Sequence, residues 1–243
     1  MKIDFTGKRA LVTGAGKGIG RDVATTLAEY GAEVVAISRT QADLDSLKAA
    51  IGCQVFQANL ADAKQTRLAV ESAGEIDLLV NNAGITILQS FFDTTLEAFD
   101  EIMAVNVRSV LVVSQIIARK MVARGQPGAI VNVSSQSSTR VLLDHTAYCT
   151  SKGALDQLTR VMALELGPHD IRVNAVNPTV TLTPMGELAW SDPVKKDGMM
   201  ARIPLKRFAT PRDVSEVIAF LLSDQARMLN GVTLPIDGGF LIT

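Results

Sequence analysis

Short runs of aliphatic and β-branched residues alternate with longer amphipathic stretches along the whole chain. That rhythm constrains the fold more than any other feature. The strand-like runs are residues 9–13, 33–38, 54–58, 77–81, 129–134, 172–175 and 232–236. Several are apolar almost throughout, the pattern of strands covered on both faces. Between them, stretches such as 21–30, 96–123 and 147–165 carry apolar residues at helical spacing. Strand and helix in steady succession predict an α/β fold, a doubly wound parallel sheet with helices on both faces. The succession never breaks, so residues 1–243 are expected to form a single domain.

Composition narrows the function classes. With 24 basic and 25 acidic side chains the formal charge is −1, which argues against a phosphate-backbone binder, so no nucleic-acid partner is expected. A hydrophobic fraction of 47% argues against disorder. Two cysteines are too few for a disulfide framework, so a reducing compartment, the cytoplasm, is the default. The first nine residues reach a strand too early for a signal peptide. The apolar run 111–117 is interrupted by Ser114 and Gln115, which reads as a buried helix rather than a membrane span. Four Cys/His ligands would consume both cysteines and both histidines, so no metal site is expected; His145 and Cys149 share a helix face with no further ligand near.

The first strand runs into Thr13-Gly14-Ala15-Gly16-Lys17-Gly18-Ile19-Gly20 and then directly into a helix. Glycines let the backbone approach a ligand without a Cβ in the way. A helix N-terminus offers free N–H groups and partial positive charge, which suits phosphate. The spacing is neither G-x-G-x-x-G nor a P-loop; it is T-G-x-x-x-G-x-G. Beyond the second strand, a carboxylate would hydrogen-bond the adenosine ribose and select NAD. That place holds Ser38 and Arg39 instead. A serine hydroxyl and a guanidinium, with Lys17 from the glycine loop, favour the extra 2′-phosphate of NADP(H).

Tyr148 and Lys152 stand four residues apart, hence on one helix face about 6 Å along the axis. An ammonium beside a phenol stabilises the phenolate, so the pair can move a proton to or from a carbonyl oxygen. Ser135 follows the fifth strand at the carboxyl edge, where ligands of parallel sheets sit, and its hydroxyl can steady the same oxygen. Asn81-Asn82-Ala83-Gly84 closes the fourth strand at that edge, and its small and amide residues suit packing against the adenine side. Asn106 lies inside a long apolar helix, where it can bond a backbone carbonyl or hold a water that relays protons to Lys152.

Taken together, Thr13-Gly14-x-x-x-Gly18-x-Gly20, Asn81-Asn82-Ala83-Gly84, Asn106, Ser135 and Tyr148-x-x-x-Lys152 resemble the short-chain dehydrogenase/reductase family over essentially the whole chain. The resemblance implies a seven-stranded Rossmann-type sheet, a catalytic tetrad of Asn106, Ser135, Tyr148 and Lys152, and commonly a homotetramer. It implies a dinucleotide site mainly within residues 1–110 and catalytic and substrate elements mainly within 111–243. It assigns the glycine loop (Gly14, Lys17, Gly18, Ile19, Gly20), Asn82, Ala83 and Gly84 to the cofactor. Asn59, followed by Leu60, stands where the family has an adenine-contacting Asp. Pro178 is followed by Thr179 where the family has glycine, and residues 180–183, with Thr181 and Thr183, are expected to reach the carboxamide.

Within the family, residues 38–47, 132–136, 163–169 and 173–180, together with Trp190-Ser191-Asp192-Pro193, resemble a tetrameric NADPH-dependent branch that reduces small ketoses and α-dicarbonyls. Gln136 and His145 can supply hydrogen-bond donors to such a substrate, and Leu142 and Trp190 an apolar wall. Residues 183–204 are polar and Pro-bounded, and read as a lid. The apolar tail Phe240-Leu241-Ile242 suits either a subunit contact or packing within its own subunit. Two alternatives stand beside the carbonyl reductase: a 3-oxoacyl thioester reductase of lipid synthesis, and a non-catalytic protein sensing NADP(H).

Overall fold

In the computed structural model, residues 3–183, 186 and 190–243 are described. The first half of the chain alternates without exception: β1 (Arg9–Thr13), α1 (Gly18–Glu29), β2 (Glu33–Ser38), α2 (Gln41–Ile51), β3 (Gln54–Gln57), α3 (Ala63–Ser72) and β4 (Leu78–Asn81). There follow α4 (Leu96–Met103), a π-helical turn (Ala104–Arg108), α5 (Ser109–Arg124), β5 (Gly128–Val133), α6 (Thr146–Leu166) and β6 (Ile171–Pro178). The chain closes with α7 (Pro193–Ala201), α8 (Pro211–Leu222) and β7 (Thr233–Ile236). Among the described residues, seven strands form one sheet in the order β3-β2-β1-β4-β5-β6-β7, every neighbouring pair parallel.

Successive strand residues face opposite layers. Val12, Val80 and Val131 pack with Leu27, Val214 and Ile218 on one side. Their neighbours Leu11, Leu79 and Ile130 pack with Val113, Ile117 and Met121 on the other. Both faces are therefore covered, which accounts for the nearly continuous apolar runs. The strand order reverses between β1 and β4, so a crevice opens at their carboxyl ends. The loops after β1, β4, β5 and β6 all converge there.

Two elements differ chiefly from the expected pattern. β6 extends over eight residues, well beyond the expected 172–175, because Asn177 and Pro178 still pair with β7. The helix expected over 96–123 is broken by the π-helical turn around Asn106. Such a turn inserts one extra residue and is common at functional sites. The run Leu96–Arg124 is long and apolar enough by length and composition to cross a membrane, yet 67% of its apolar window is buried within the fold. The tail divides: Phe240 is fully buried with Met199, Ile203 and Phe208, between the guanidinium groups of Arg140 and Arg202, while Ile242 is exposed.

Candidate active site

The glycine loop can take its path only as bare backbone. Gly14 has φ +66°, and a Cβ there would lie 2.8 Å from the Cα of Ala83. A Cβ on Gly16 would lie 2.9 Å from both Ser38 Oγ and Asp43 Cβ. The loop thus threads between the ends of β4 and β2. Lys17 stands at the N-cap of α1, and no side chain caps that helix. The N–H groups of its first turn are left to a ligand, an arrangement that fits a phosphate.

A cleft of about 410 Å³ opens at this point. Gly14, Lys17, Gly18 and Ile19 line one wall; Gly20 is buried beneath the loop and does not. Asn82, Ala83 and Gly84 line the neighbouring wall. The Asn82 amide is engaged within the fold. Its Nδ2 donates to the carbonyls of Thr13 (3.0 Å) and Gly14 (3.1 Å). Thr13 Oγ1 in turn accepts from the N–H groups of Asn82 (3.1 Å) and Ala83 (3.2 Å). Asn82 therefore fixes the shape of the glycine loop.

At the end of β2, Ser38 is half-buried against Gly16, and Arg39 is exposed. Lys17, expected as a cation for the same phosphate, pairs through its Nζ with Asp43 at 3.4 Å. Arg21, which the sequence reading passed over, reaches the Asp43 carbonyl at 3.4 Å and adds a cation beside it. Asn59 and Leu60 lie outside the cleft wall. Asn59 Oδ1 accepts from the Ala61 N–H (3.1 Å), and its own N–H donates to Gln65 Oε1 (3.0 Å), so it shapes the turn into α3.

The opposite end of the cleft collects Ser135, Gln136, Leu142, His145, Tyr148 and Lys152. Pro178, Thr181 and Thr183 follow from the β6 side, with Trp190 beyond them. Lys152 is only 4% exposed, and its Nζ donates to the Val133 carbonyl at 2.8 Å. The same Nζ lies 5.6 Å from the centre of the Tyr148 ring. Burial pushes the Lys152 ammonium down to about 8, with Asp156 opposing the fall. Burial pushes the Tyr148 phenol up, and the Ser135 hydroxyl pulls it back down. The net direction for Tyr148 is upward. Ser135 Oγ also accepts from Ser137 N–H (3.2 Å) and Ser137 Oγ (2.9 Å).

Asn106 lies beneath the cleft rather than on its wall. Its Oδ1 accepts from the Ile85 N–H (2.9 Å), and its Nδ2 donates to the Ile85 carbonyl (3.0 Å) and Ser151 Oγ (2.9 Å). Both amide hydrogens are used, so the side chain has no donor left for a relaying water. Ser151 Oγ donates onward to the Tyr148 carbonyl at 2.7 Å. The amide thus ties the chain after β4 to the Tyr148 turn of α6.

His145 precedes α6, its Nδ1 2.6 Å from the Leu143 carbonyl. A carbonyl only accepts, so this bond requires the proton on Nδ1 and leaves Nε2 as an acceptor. The ring meets Tyr148 edge-on, with centroids 6.0 Å apart. Trp190 meets Phe208 likewise at 6.0 Å. Thr86, Gln136 and Thr179 line the cleft, each with a buried side-chain oxygen lacking a partner. Thr86 carries no signal in the sequence beyond following the Asn81–Gly84 motif by two residues. Of the expected lid, residues 184, 185 and 187–189 lie outside the described residues. The remainder contains α7, capped by Asp192.

A family model described as enoyl-(acyl carrier protein) reductase matches residues 14–241. The chain is 57% identical over 244 residues to L-xylulose reductase of Bos taurus, covering 100% of both chains. It is 56% identical over 242 residues to D-erythrulose reductase of Gallus gallus, covering 99% of this chain and 98% of that one. A solved structure from Beutenbergia cavernae, described as an NAD(P)-dependent gluconate 5-dehydrogenase with bound NADP, superposes with a TM-score of 0.96 at 33% identity, covering 100% of both chains.

Proposed function

The chain belongs to the short-chain dehydrogenase/reductase family, and from that premise we propose that it is an NADPH-dependent carbonyl reductase of small ketoses and α-dicarbonyls, reducing L-xylulose to xylitol. What supports this reading is that Ser135, Tyr148 and Lys152 share a cleft with an uncapped glycine-loop helix, in a chain similar along its whole length to ketose reductases.

NADPH, when bound, supplies the hydride for the carbonyl carbon. Gly14, Gly18 and Ile19 would hold its phosphates, Ser38 and Arg39 the 2′-phosphate, and Pro178, Thr181 and Thr183 its carboxamide. Tyr148 gives its phenolic proton to the carbonyl oxygen as charge develops there. Ser135 holds that oxygen by a hydrogen bond. The buried Lys152 ammonium stabilises the phenolate that remains and binds ribose hydroxyls. Gln136 and His145 orient the substrate's other oxygens against Leu142 and Trp190. Cofactor contacts fall mainly within residues 1–110 and reacting groups mainly within 111–243. A homotetramer in the cytoplasm fits the family and the two free thiols, Cys53 and Cys149.

NADPH absorbance followed in parallel with L-xylulose, diacetyl and an acetoacetyl thioester tests the reading. Oxidation is expected with the first two. Turnover of the thioester alone would transfer the enzyme to lipid synthesis, and turnover of none would return the sensor.

A further inference from the structure

The reacting groups come from two elements: Ser135 from the end of β5, Tyr148 and Lys152 from α6. Their mutual placement is therefore a tertiary matter. Besides the meeting of the Ser135 hydroxyl with the Tyr148 phenol, contacts joining the elements close to the cleft include Lys152 Nζ to the Val133 carbonyl (2.8 Å) and Ser134 Oγ to the Lys152 carbonyl (3.3 Å). Another lies deeper and belongs to no motif. Asn177, near the end of β6, turns its Nδ2 toward three acceptors: the Ser135 carbonyl (3.1 Å), Ser138 Oγ (2.9 Å) and Asp156 Oδ2 (2.9 Å). Asp156 continues the helix face of Tyr148 and Lys152, four residues beyond the lysine.

The arrangement is costly. Asn177 is 3% and Asp156 5% exposed, so a carboxylate has been taken out of water with one amide to meet it. Asp156 Oδ1 and Asn177 Oδ1 are both buried without a partner. Asp156 acts on the Lys152 ammonium through its charge, but the hydrogen bond it accepts comes from Asn177. What the pair does accomplish is geometric. It fastens the turn bearing Ser135 to the helix bearing Tyr148 and Lys152.

We propose that Asp156 and Asn177 form a buried clasp that positions the catalytic serine against the tyrosine, so that both are positioning residues for the carbonyl reduction. This rests on the reductase reading of the site, with Ser135 acting on the carbonyl oxygen. Neither residue lines the cleft, so neither meets substrate or cofactor. A misplacement of a reacting group by about 1 Å costs on the order of 100-fold in rate. Asp156→Ala should therefore lower kcat ~10- to 100-fold while the KM for NADPH stays within about 2-fold. Asp156→Asn keeps an oxygen for Asn177 Nδ2 and offers its own amide hydrogens to the orphaned Asn177 Oδ1. It should restore most of kcat. Asn177→Ala should match Asp156→Ala, and the double variant should be no worse than either single one, since the pair acts as a unit.

The experiment measures kcat and KM for L-xylulose and NADPH, NADPH affinity by fluorescence quenching, and melting temperature in the intact chain. If Asp156→Ala does not fold, Asn177→Ser takes its place, being too short to span Asp156 and the Ser135 carbonyl. The clasp is refuted by wild-type kcat in Asp156→Ala or its replacement. It is refuted equally by an Asp156→Asn variant as slow as Asp156→Ala, or by kcat loss that only accompanies loss of NADPH affinity. A wild-type chain that turns over none of the carbonyl substrates would overturn the reductase reading instead. Quenching by NADPH would remain to show an intact site.

Discussion

Lys152 should make the ligand-free protein less stable, and Lys152→Met should therefore raise its melting temperature while removing its activity. The ammonium is 4% exposed and held down to about 8 from an ordinary 10.5 by burial. At about 1.4 kcal/mol for each tenfold in proton affinity, that depression corresponds to about 3 kcal/mol against the charged native state. Methionine fills the same space without a charge but forfeits the charge-assisted hydrogen bond to the Val133 carbonyl, worth about 2 kcal/mol. The net gain is about 1 kcal/mol, or roughly 2–4 °C for a chain of this size. The pH dependence fixes the sign. Below about 8, both folded and unfolded wild type carry the proton, and the full penalty stands. Between about 8 and 10.5 the unfolded chain binds more protons than the folded one, so wild-type stability rises with pH and the variant's advantage shrinks. Melting both proteins without cofactor from pH 7 to 10 tests this. A variant that melts at or below wild type at pH 7 refutes the reasoning, as does an advantage constant across the range.

Tyr148→Phe removes the proposed proton donor, so kcat should fall on the order of 10²- to 10⁴-fold while NADPH affinity, read by fluorescence, stays within about 2-fold. Ser38→Asp places a carboxylate beside Gly16, where it repels a 2′-phosphate; kcat/KM should fall for NADPH and rise for NADH, and an unchanged ratio would remove Ser38 from cofactor selection. Asn106→Ala strands the Ile85 N–H and carbonyl and removes the donor to Ser151 Oγ, so stability to urea should drop by about 2–4 kcal/mol, and a loss under about 1 kcal/mol would show that water replaces the amide.

The sheet and its functional edge were legible because both follow from local pattern plus one topological rule. Apolar runs read as strands buried on two faces, the switch between β1 and β4 places the crevice, and the glycine loop, Ser135 and Tyr148-x-x-x-Lys152 fall beside it. What the sequence concealed depends on which side chains meet across elements. Asn82 was assigned to the adenine side because its motif ends a strand at the cleft. Only the fold reveals that the glycine-loop carbonyls claim its amide. Lys17 and Arg39 read as a cationic pair for the 2′-phosphate, and the Lys17–Asp43 pairing needs the approach of α2 to the loop that Gly16 permits. The π-helical turn at Asn106 leaves no trace in an apolar helical run, and the bonds of its amide to the Ile85 backbone are made across elements. Asp156 and Asn177 were silent for the same reason. Each is unexceptional in its own element, a polar residue on a helix and one near a strand end. Only together, buried under the serine turn, do they become a constraint on chemistry. Local sequence therefore specifies which groups reach the edge, while the distances between them are set by buried polar contacts that no single motif contains.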